Sequence, residues 1–457
     1  MRQRFLTFAV LGIILIGIGE WNLRTRKIEP LSRLNDFWRE FCVGNAGDRI
    51  GDPAVTVVRI NDDYEPLSIG EDKPSDQADL TRLDYATILG FVAKLDPKSV
   101  AFLPTPSFDE SRVLNKTDIV PLKGAAMQLP RLQVATVVSD DGEGAKEESP
   151  VEYPTLTLDG EPEAILTFTR TVRHPDDQII ANGDPAFKSI ASARELTGEQ
   201  EIRVPLVARY RDEIVPSIVL TAVADHAGVP LEDIVVDLSG NSSVIRLGEL
   251  RTIPIAADGT MELPPHAGMK RSMTRTRRNE EGETETSYRF TSMKVEELAY
   301  TGNQDDEVAA RILAGLQGKF DSIADNLVVI GFDRTADRRL TTATGEVLSE
   351  TTMLARAMGV IQSGRFIDWW PSWARWLAVL AIAAIALLLF KFSRLKFVVA
   401  WLVATLLFFT ACVLVFRATL SWTPPFVMFA LFGLMLLVGL LIPAEPRRET
   451  VPEPEAA

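Results

Sequence analysis

The sequence predicts an α/β protein, in which a large extracytoplasmic domain with a mainly parallel central sheet is joined to an all-α membrane part of four transmembrane helices. Two observations predict this division. Apolar residues are concentrated at the two ends of the 457-residue chain. The long middle part instead alternates short β-branched runs with segments of helical spacing, which is typical of βαβ units and of parallel sheets.

The first apolar segment, Phe5–Gly19, contains no charged residue and follows two arginines near the N-terminus. It is short for a membrane span, but Trp21 extends it towards the membrane interface. A cleaved signal peptide is the alternative interpretation. We favour an uncleaved anchor over residues 1–22, because the family that the middle part resembles has one.

Three further apolar segments lie close together at the other end of the chain. Each is long enough to cross a hydrocarbon core of ~30 Å, and tryptophans lie near their edges as in an aromatic belt. We therefore expect residues 373–442 to form three transmembrane helices and residues 443–457 to form a short disordered cytoplasmic tail. The three segments are Trp373–Phe390, Phe397–Phe416 and Phe426–Ile442.

Basic residues predict the orientation of these spans. With four spans, the basic residues at the segment ends fall on one side, which is the cytoplasmic side by the positive-inside rule, and Arg417 is the exception. Residues 23–372 then lie outside the cytoplasm, as the periplasmic domain of a multi-pass protein of the inner membrane. The basic residues are Arg2, Arg4, Lys391, Arg394, Lys396, Arg447 and Arg448.

The predicted outer domain is strongly acidic. The chain has a net charge of −14, and the residues outside 20–372 contribute +5, so the segment 20–372 carries −19. Such a surface repels polyanions, which argues against nucleic acid and anionic lipid head groups as partners of this domain. The simplest role of the charge is to keep the domain soluble.

No motif in the sequence indicates catalysis or metal binding. There is no P-loop, GxSxG or HExxH motif, and the three histidines are scattered singly, whereas a zinc site needs clustered ligands. We therefore expect no enzyme activity, no cofactor and no metal. The two cysteines are Cys42, in the predicted outer domain, and Cys412, in a predicted span. They are expected to be unable to pair with each other, and Cys42 to be a buried apolar residue.

Four short β-branched or apolar runs are predicted to be neighbouring strands of the central sheet. The segment Leu80–Leu95 lies between the first two of these runs. Its apolar residues have helical spacing, and an Asp-Pro pair ends it. Two antiparallel strands are predicted further on, at Val235–Leu238 and Val244–Leu247. Residues 140–163 and 267–287 are predicted to be surface loops, because apolar residues are sparse there. The four central runs are Val55–Ile60, Ser99–Leu103, Gln133–Val138 and Leu327–Ile330.

Several short patterns occur in the order that is found in one family of sensor domains. Taken together over residues 5–442, they make the chain resemble the type 2 CHASE (CHASE2) family, whose members are extracytoplasmic input modules of bacterial receptors. That family has one span before the domain and usually three after it, as predicted here. The patterns are Asn35–Phe37, Val57–Asp62, Arg82–Ala86, Arg203–Leu206, Pro216–Ser217, Lys319–Gly331 with Thr335 and Asp337, and Ala355 and Ala357 with Ser363–Phe366.

The chain departs from the family pattern at several polar positions. Leu103 stands where the family usually has an Asp, Leu354 and Arg356 stand where it often has His and Asn, and Asn61 replaces a usual Asp. Family members typically continue into a cyclase or a kinase. Here the residues after Ile442 are rich in Pro and Glu, and we expect no output domain in them.

The resemblance implies a sensor or scaffold module in signal transduction. Such a protein detects an envelope or environmental signal, which is an unknown small-molecule or protein ligand, and acts through a separate signalling or membrane protein. The alternative is an ABC-type permease subunit that has a large periplasmic domain and works with a separate ATPase. Small residues of the last span, Gly433 and Gly439, are expected either to pack the spans together or to dock a partner helix.

A ligand site, if the domain has one, is expected at the C-terminal ends of the parallel strands. The loops that follow these strands converge there and can present polar groups without disturbing the core. Arg82 has an alternative interpretation, as a structural partner of Asp62 that ties the first helix to the first strand. The candidate ligand-binding residues are Asp62, Asp63, Arg82, Tyr85, Asp333, Thr335 and Asp337.

Overall fold

The structure is a computed structural model in which the chain divides into two compact units. One unit comprises Met1–Gly47 and Ile367–Ala457, and the other comprises Asp48–Phe366. The structure describes residues 2–25, 34, 37–38, 41–42, 53–65, 80–106, 119–139, 151–190, 202–238, 243–263, 273–278, 284–299, 307–337, 339–341, 347–364, 366, 368–419, 421–422 and 425–442.

The described chain contains α-helices and β-strands, with runs of consecutive strands in the part between β3 and β15. The helices are α1 Arg2–Thr25, α2 Arg82–Ala93, α3 Ile119–Met127, α4 Asp177–Ile180, α5 Ile218–Ala227, α6 Val295–Ala299, α7 Glu307–Asp321, α8 Glu350–Ser363, α9 Ser372–Leu389, α10 Arg394–Thr419 and α11 Pro425–Leu441. The strands are β1 Val55–Ile60, β2 Ser99–Phe102, β3 Leu132–Ser139, β4 Thr157–Asp159, β5 Arg170–Arg173, β6 Asp184–Ile190, β7 Ile202–Pro205, β8 Val207–Tyr210, β9 Glu213–Pro216, β10 Ile234–Asp237, β11 Ser243–Leu247, β12 Arg251–Ile255, β13 Thr260–Leu263, β14 Met273–Arg278, β15 Thr284–Lys294, β16 Leu327–Phe332, β17 Arg339–Thr341, β18 Val347–Ser349, β19 Asp368–Trp369 and β20 Ser421–Trp422.

A mainly parallel sheet forms the centre of the larger unit. Among the described residues it has eight strands in the order β14-β15-β1-β16-β2-β3-β5, and β6 also pairs with β3. Strands β15, β1, β16, β2 and β3 are parallel to one another, whereas the end strands β14 and β5 pair antiparallel. The predicted neighbourhood of the four central runs is therefore confirmed. The runs lack polar alternation because helices cover both faces of the sheet.

Successive residues of β1 face two different cores. Val55 and Val57 belong to an apolar cluster that includes α5 and α8, whereas Val58 and Ile60 belong to another that includes α2 and α3. All four side chains are almost fully buried. Because side chains alternate across a strand, a single β-branched run supplies both layers at once. The larger unit thus has three layers, with the sheet between two sets of helices.

The predicted surface loop at residues 267–287 is wrong for the residues that the structure describes. Met273–Arg278 and Thr284–Lys294 pair as antiparallel strands, and the second of these continues the sheet by pairing parallel with β1. The segment is poor in apolar residues because β14 is an edge strand, which needs backbone pairing on one side only. The predicted antiparallel pair further up the chain is confirmed as β10 and β11.

Helix α8 lies unusually close to the central sheet. A Cβ atom added to Gly331 of β16 would lie 2.4 Å from the Thr351 hydroxyl, so only glycine fits there. The Thr351 hydroxyl donates a 2.6 Å hydrogen bond to the carbonyl oxygen of Phe332. Gly364 ends the helix with φ of 66°, a left-handed conformation that glycine adopts without strain. This turn contains the glycine of the Ser363–Phe366 pattern.

The smaller unit is built from apolar helices. By length and composition, one described helix, Arg394–Thr419, qualifies as a membrane span, whereas the sequence predicts four spans. The apolar parts of the other three helices have 17 residues each: Gln3–Gly19, Trp373–Leu389 and Pro425–Leu441. A helix of about 17 residues is about 26 Å long, slightly less than the hydrocarbon core.

The two cysteines lie in the smaller unit, and they are not paired with each other. Cys42 and Cys412 belong to the same compact unit and to one buried apolar cluster, together with Trp38 and Phe416. Both are free thiols, and both are buried. The sequence interpretation placed the chain after the first helix with the outer domain, whereas Trp38 packs against α10, with the Trp38 and Phe409 ring centroids 5.2 Å apart.

Candidate functional site

Two loops lie side by side where β1 and β16 end. The strands pair in parallel up to Ile60 and Phe332, and the Asp333 amide donates a 3.0 Å hydrogen bond to the Ile60 carbonyl, which extends the pairing by one residue. The loops 61–65 and 333–337 therefore leave the sheet together. This is the edge at which parallel sheets present ligand groups, and it carries five of the seven predicted site residues.

Asp62 and Thr335 join the two loops directly. The Asp62 carboxylate accepts hydrogen bonds from the Thr335 amide at 2.9 Å and from its hydroxyl at 2.6 Å. These bonds favour the ionised form, so the pKa of Asp62 lies below its ordinary value, and the charges of Arg334 and Arg339 act in the same direction. The structure thus brings two predicted site residues into one contact, with a threonine serving as the donor.

Asp333 lies between two arginines. Arg59 of β1 reaches its carboxylate at 3.1 Å, and Arg339 of β17 reaches the other carboxylate oxygen at 3.5 Å. The carboxylate is 14% exposed, so the bridge is partly shielded from solvent. We call Arg59, Asp62, Asp333, Thr335 and Arg339 the carboxyl-edge cluster. It fixes both loops on the sheet.

The remaining predicted residue of the second loop has a local role. The Asp337 carboxylate accepts a 2.7 Å hydrogen bond from the Arg334 amide, which closes the turn between them. The Arg334 guanidinium lies over the Phe332 ring, 4.3 Å from its centroid. Arg59, Arg334 and Arg339 together balance Asp62, Asp333 and Asp337 in charge. The cluster therefore does not present an unbalanced charge to a ligand.

Asp63 belongs to the neighbouring side of the same edge. Its carboxylate accepts a 2.5 Å hydrogen bond from the Lys294 ammonium at the end of β15, and this contact raises the pKa of Lys294. The Lys294 amide donates to the Glu297 carboxylate at 3.1 Å, at the start of α6. The ion pair is exposed and contributes little to stability, but it extends the polar edge across three adjacent strands, β15, β1 and β16.

Arg82 and Tyr85 lie apart from the carboxyl-edge cluster. Arg82 donates to the Asp176 carboxylate at 3.0 Å and 3.3 Å, so the alternative of a bond to Asp62 is wrong. Tyr85 is 2% exposed, and its ring packs edge-on against Phe102 at 5.6 Å. Helical spacing alone could not show that Tyr85 faces the core and Arg82 the α4 side. These two residues act in the packing of α2.

The sequence interpretation missed several polar groups at this edge. Asp84 is fully buried and forms a capping box with Thr81, and its carboxylate also accepts a 3.3 Å hydrogen bond from the Tyr64 phenol. Burial, the Asp84 carboxylate and, more weakly, Glu296 raise the pKa of Tyr64. A Thr-x-x-Asp pattern before a helical run was the available signal.

Some buried polar atoms at this edge have no hydrogen-bond partner. Within the described chain these are Nε of Arg59, Oδ1 of Asn61 and both carboxylate oxygens of Glu296. Buried polar atoms are almost always paired, so each represents hydrogen-bonding capacity that a ligand or water would satisfy. Three of the four are acceptors, which suits a ligand that donates hydrogen bonds.

Two positions at which the family pattern has polar residues are buried and apolar here. Leu103 and Leu354 are 3% and 0% exposed, and both belong to the apolar cluster beneath α5 and α8. Neither could hold a ligand. The residues described by the structure contain no group of three or more His, Cys, Asp or Glu side chains placed to hold a metal ion.

A second polar group, which we call the amino-edge cluster, lies at the opposite ends of the strands. It consists of Ala54, Asp225, His226, Asp325 and Gln362. The His226 Nε2 atom contacts the Asp325 carbonyl at 2.9 Å, and its Nδ1 atom contacts the Gln362 amide nitrogen at 3.3 Å. Burial lowers the pKa of His226 and raises that of Asp225. The sequence treated this histidine as solitary.

Comparisons with known proteins add no relative. No protein-family model, no curated protein and no solved structure matches this chain. The resemblance to the CHASE2 family consequently depends on the sequence patterns, and it stays a prediction.

Proposed function

We propose that this protein is a bacterial, membrane-anchored sensor or scaffold module of the CHASE2 type, which detects a signal outside the cytoplasm and acts through a separate protein. The observation that carries the proposal is the carboxyl-edge cluster. It joins two loops at the ligand-binding edge of a parallel sheet, in a chain that also contains a unit of apolar helices.

The unpaired atoms beside that cluster support a role in binding rather than catalysis. Asn61 and Glu296 offer buried acceptor oxygens, while the neighbouring charged groups are already paired. A ligand there would donate hydrogen bonds to Asn61, which follows β1, and to Glu296, which follows β15. Its binding would therefore change how tightly loop 61–65 and the start of α6 are held together, which is the local event that a sensor needs.

Contacts inside the smaller unit support a four-span topology with both termini in the cytoplasm. Arg4 of α1 donates to carbonyls at the ends of α9 and α11. Strands β19 and β20 pair, which brings the chain just before α9 beside the connection between α10 and α11. These contacts agree with helices that alternate in direction. The three shorter helices would span a locally thinned bilayer at modest cost.

The topology is tested with fusions to reporters that work on one side of the membrane only. Alkaline phosphatase placed after Gly160 should be active, and the same enzyme placed after Ala457 should be inactive. A fluorescent protein after Ala457 is the control, because it confirms that an inactive fusion is made and inserted. An active phosphatase at Ala457 would refute the topology, and with it the extracytoplasmic sensor.

The separate partner is tested by purifying the tagged protein in mild detergent and identifying co-purified proteins by mass spectrometry. A kinase, a cyclase or another signalling protein would support the sensor. An ATPase with nucleotide-binding motifs would instead support the permease alternative. A matched variant, Asp333→Asn, reports whether recovery of the partner depends on the carboxyl-edge cluster.

A further inference from the structure

We propose that Cys42 and Cys412 form a disulfide bond in the exported protein, which fastens the chain segment after α1 to helix α10. The proposal relies on the proposed function only in placing this end of α10 on the extracytoplasmic side. The chain has two cysteines, and they share one small buried cluster although 370 positions separate them.

The geometry around the cysteines favours a direct pair. Phe37, Trp38, Phe41 and Cys42 are helical, so Cys42 lies one turn beyond Trp38 on the same helical face. Cys412 lies one turn beyond Phe409 on α10 in the same way. The Trp38 ring packs edge-on against the Phe409 ring at 5.2 Å. Both cysteines belong to the same small buried cluster as Trp38 and Phe416, and Cys412 is near enough to act electrostatically on Cys42.

Both thiols are buried, so in the folded protein they do not react with solutes. Cys42 is 1% exposed and Cys412 is 7% exposed. Burial, and secondly the nearby Cys412, raises the pKa of Cys42 to about 12, so the folded thiol is protonated and unreactive. Oxidation is therefore expected while the chain folds, before the cluster around Trp38 closes.

The oxidation needs an electron acceptor, for which we name a protein disulfide of the exporting compartment. The Cys42 thiolate attacks that disulfide and forms a mixed disulfide, and the Cys412 thiolate then displaces it. One sulfur–sulfur bond forms between Cys42 and Cys412, their two thiol protons are released or transferred, and the acceptor leaves as a dithiol. Compartments outside the cytoplasm maintain such acceptors, whereas the cytoplasm keeps thiols reduced.

The bond would act on the connection between the first helix and the larger unit. Trp38 already packs against α10 through the Phe409 ring, and the disulfide would attach its segment to that helix covalently. It would restrain the chain that leads from α1 towards the domain at Asp48. A movement of Cys42 would then require α10 to move with it.

The test traps thiols in cells that express the full-length protein. Cells are quenched with acid, and free thiols are blocked with N-ethylmaleimide under denaturing conditions. The sample is then reduced and labelled with a polyethylene glycol maleimide, which slows migration once for each labelled cysteine. We expect two additions in the wild type, and none in Cys42→Ser or Cys412→Ser. The unreduced wild type should migrate as a monomer.

Two results would overturn the disulfide. One is a wild-type protein without additions after reduction, which shows that both thiols were free. The other is a disulfide-linked dimer that persists in Cys42→Ser. Alkaline phosphatase after Gly160, assayed in the same cells, reports the topology separately. Free thiols with an active fusion reject the disulfide alone, whereas an inactive fusion rejects the proposed topology.

Discussion

The Nε atom of Arg4 donates a 2.8 Å hydrogen bond to the carbonyl oxygen of Ile442, across 438 positions of sequence. Its Nη1 atom also reaches the Phe390 carbonyl at 3.5 Å. These carbonyls lie at the ends of α11 and α9, where the helix itself supplies no amide donor. One buried guanidinium therefore holds the start of one helix to the ends of two others.

Replacing Arg4 tests this arrangement. We expect Arg4→Gln to destabilise the protein by about 1–3 kcal/mol, because two carbonyl groups lose a charged donor in an apolar setting. The midpoint of thermal unfolding in detergent measures the effect. Arg2→Gln is the control, since it removes the same charge from the same end of the chain. Equal midpoints for the two variants would show that the Arg4 hydrogen bonds contribute nothing.

The two glycines of the last apolar helix should respond differently to substitution. A Cβ atom at Gly439 would lie 2.2 Å from the Phe397 ring, whereas no described atom lies within 4 Å of a Cβ at Gly433. Gly439→Leu should therefore cost about 1–3 kcal/mol through overpacking. Gly433→Leu should leave the unfolding midpoint unchanged.

The same pair of variants separates internal packing from partner docking. Gly433→Leu should reduce the recovery of a co-purified partner if this open face binds a partner helix. Gly439→Leu is the matched control for any general loss of folded protein. Unchanged recovery with Gly433→Leu would place the partner contact elsewhere.

The sequence was informative about the central sheet because its strands carry their signal locally. Val55–Ile60 and Leu327–Ile330 are β-branched runs that can be buried on both faces, and such runs are recognisable without knowing their neighbours. Strand β14 has no such signal, because an edge strand is stabilised by backbone pairing with β15. The wrong loop assignment at 267–287 follows from this difference.

The candidate site was predictable only as far as strand order determines it. Asp62, Asp333 and Thr335 follow two strands that are neighbours, so their proximity follows from the topology. Arg59 was missed because a charged residue inside a strand gives no indication of which loop it reaches. The ion pair of Arg82 with Asp176 joins positions 94 apart, and no local pattern contains that information.

The bridge between Arg59 and Asp333 should contribute measurably to stability. Asp333→Asn removes the charge that holds two arginines, and we expect a loss of about 1–3 kcal/mol in the free energy of unfolding. Arg59→Gln and the double variant complete a double-mutant cycle, which isolates the pair from its surroundings. Purely additive effects in thermal or denaturant unfolding would show that the two residues do not interact.

His226 should make the stability of the larger unit depend on pH. The Gln362 side chain is fixed by Ala54, because its oxygen accepts from the Ala54 amide at 2.8 Å and its nitrogen donates to the Ala54 carbonyl at 3.3 Å. It therefore presents a donor to Nδ1 of His226, while Nε2 faces the Asp325 carbonyl. Both contacts suit the neutral imidazole. In the imidazolium, the proton on Nδ1 would face the Gln362 donor, and the positive charge of the nearby Lys98 would repel the ring.

The direction of the pH effect follows from the lowered pKa. As the pH is lowered through the ordinary histidine pKa of about 6.5, the unfolded chain takes up a proton before the folded one. The free energy of unfolding therefore decreases as the pH is lowered, until the folded pKa is passed. The neighbouring Asp225 acts oppositely: its pKa is raised, so its contribution is full at low pH and is lost as pH rises through the folded value.

The two effects can be separated with single variants of the full-length protein in detergent. Unfolding midpoints between pH ~5 and ~7 should fall towards the acidic end in Asp225→Asn, where the histidine acts alone. In His226→Gln that acidic fall should disappear, and the midpoint should rise slightly as pH is lowered. Identical pH profiles in wild type and His226→Gln would mean that Gln362 does not hold the imidazole neutral.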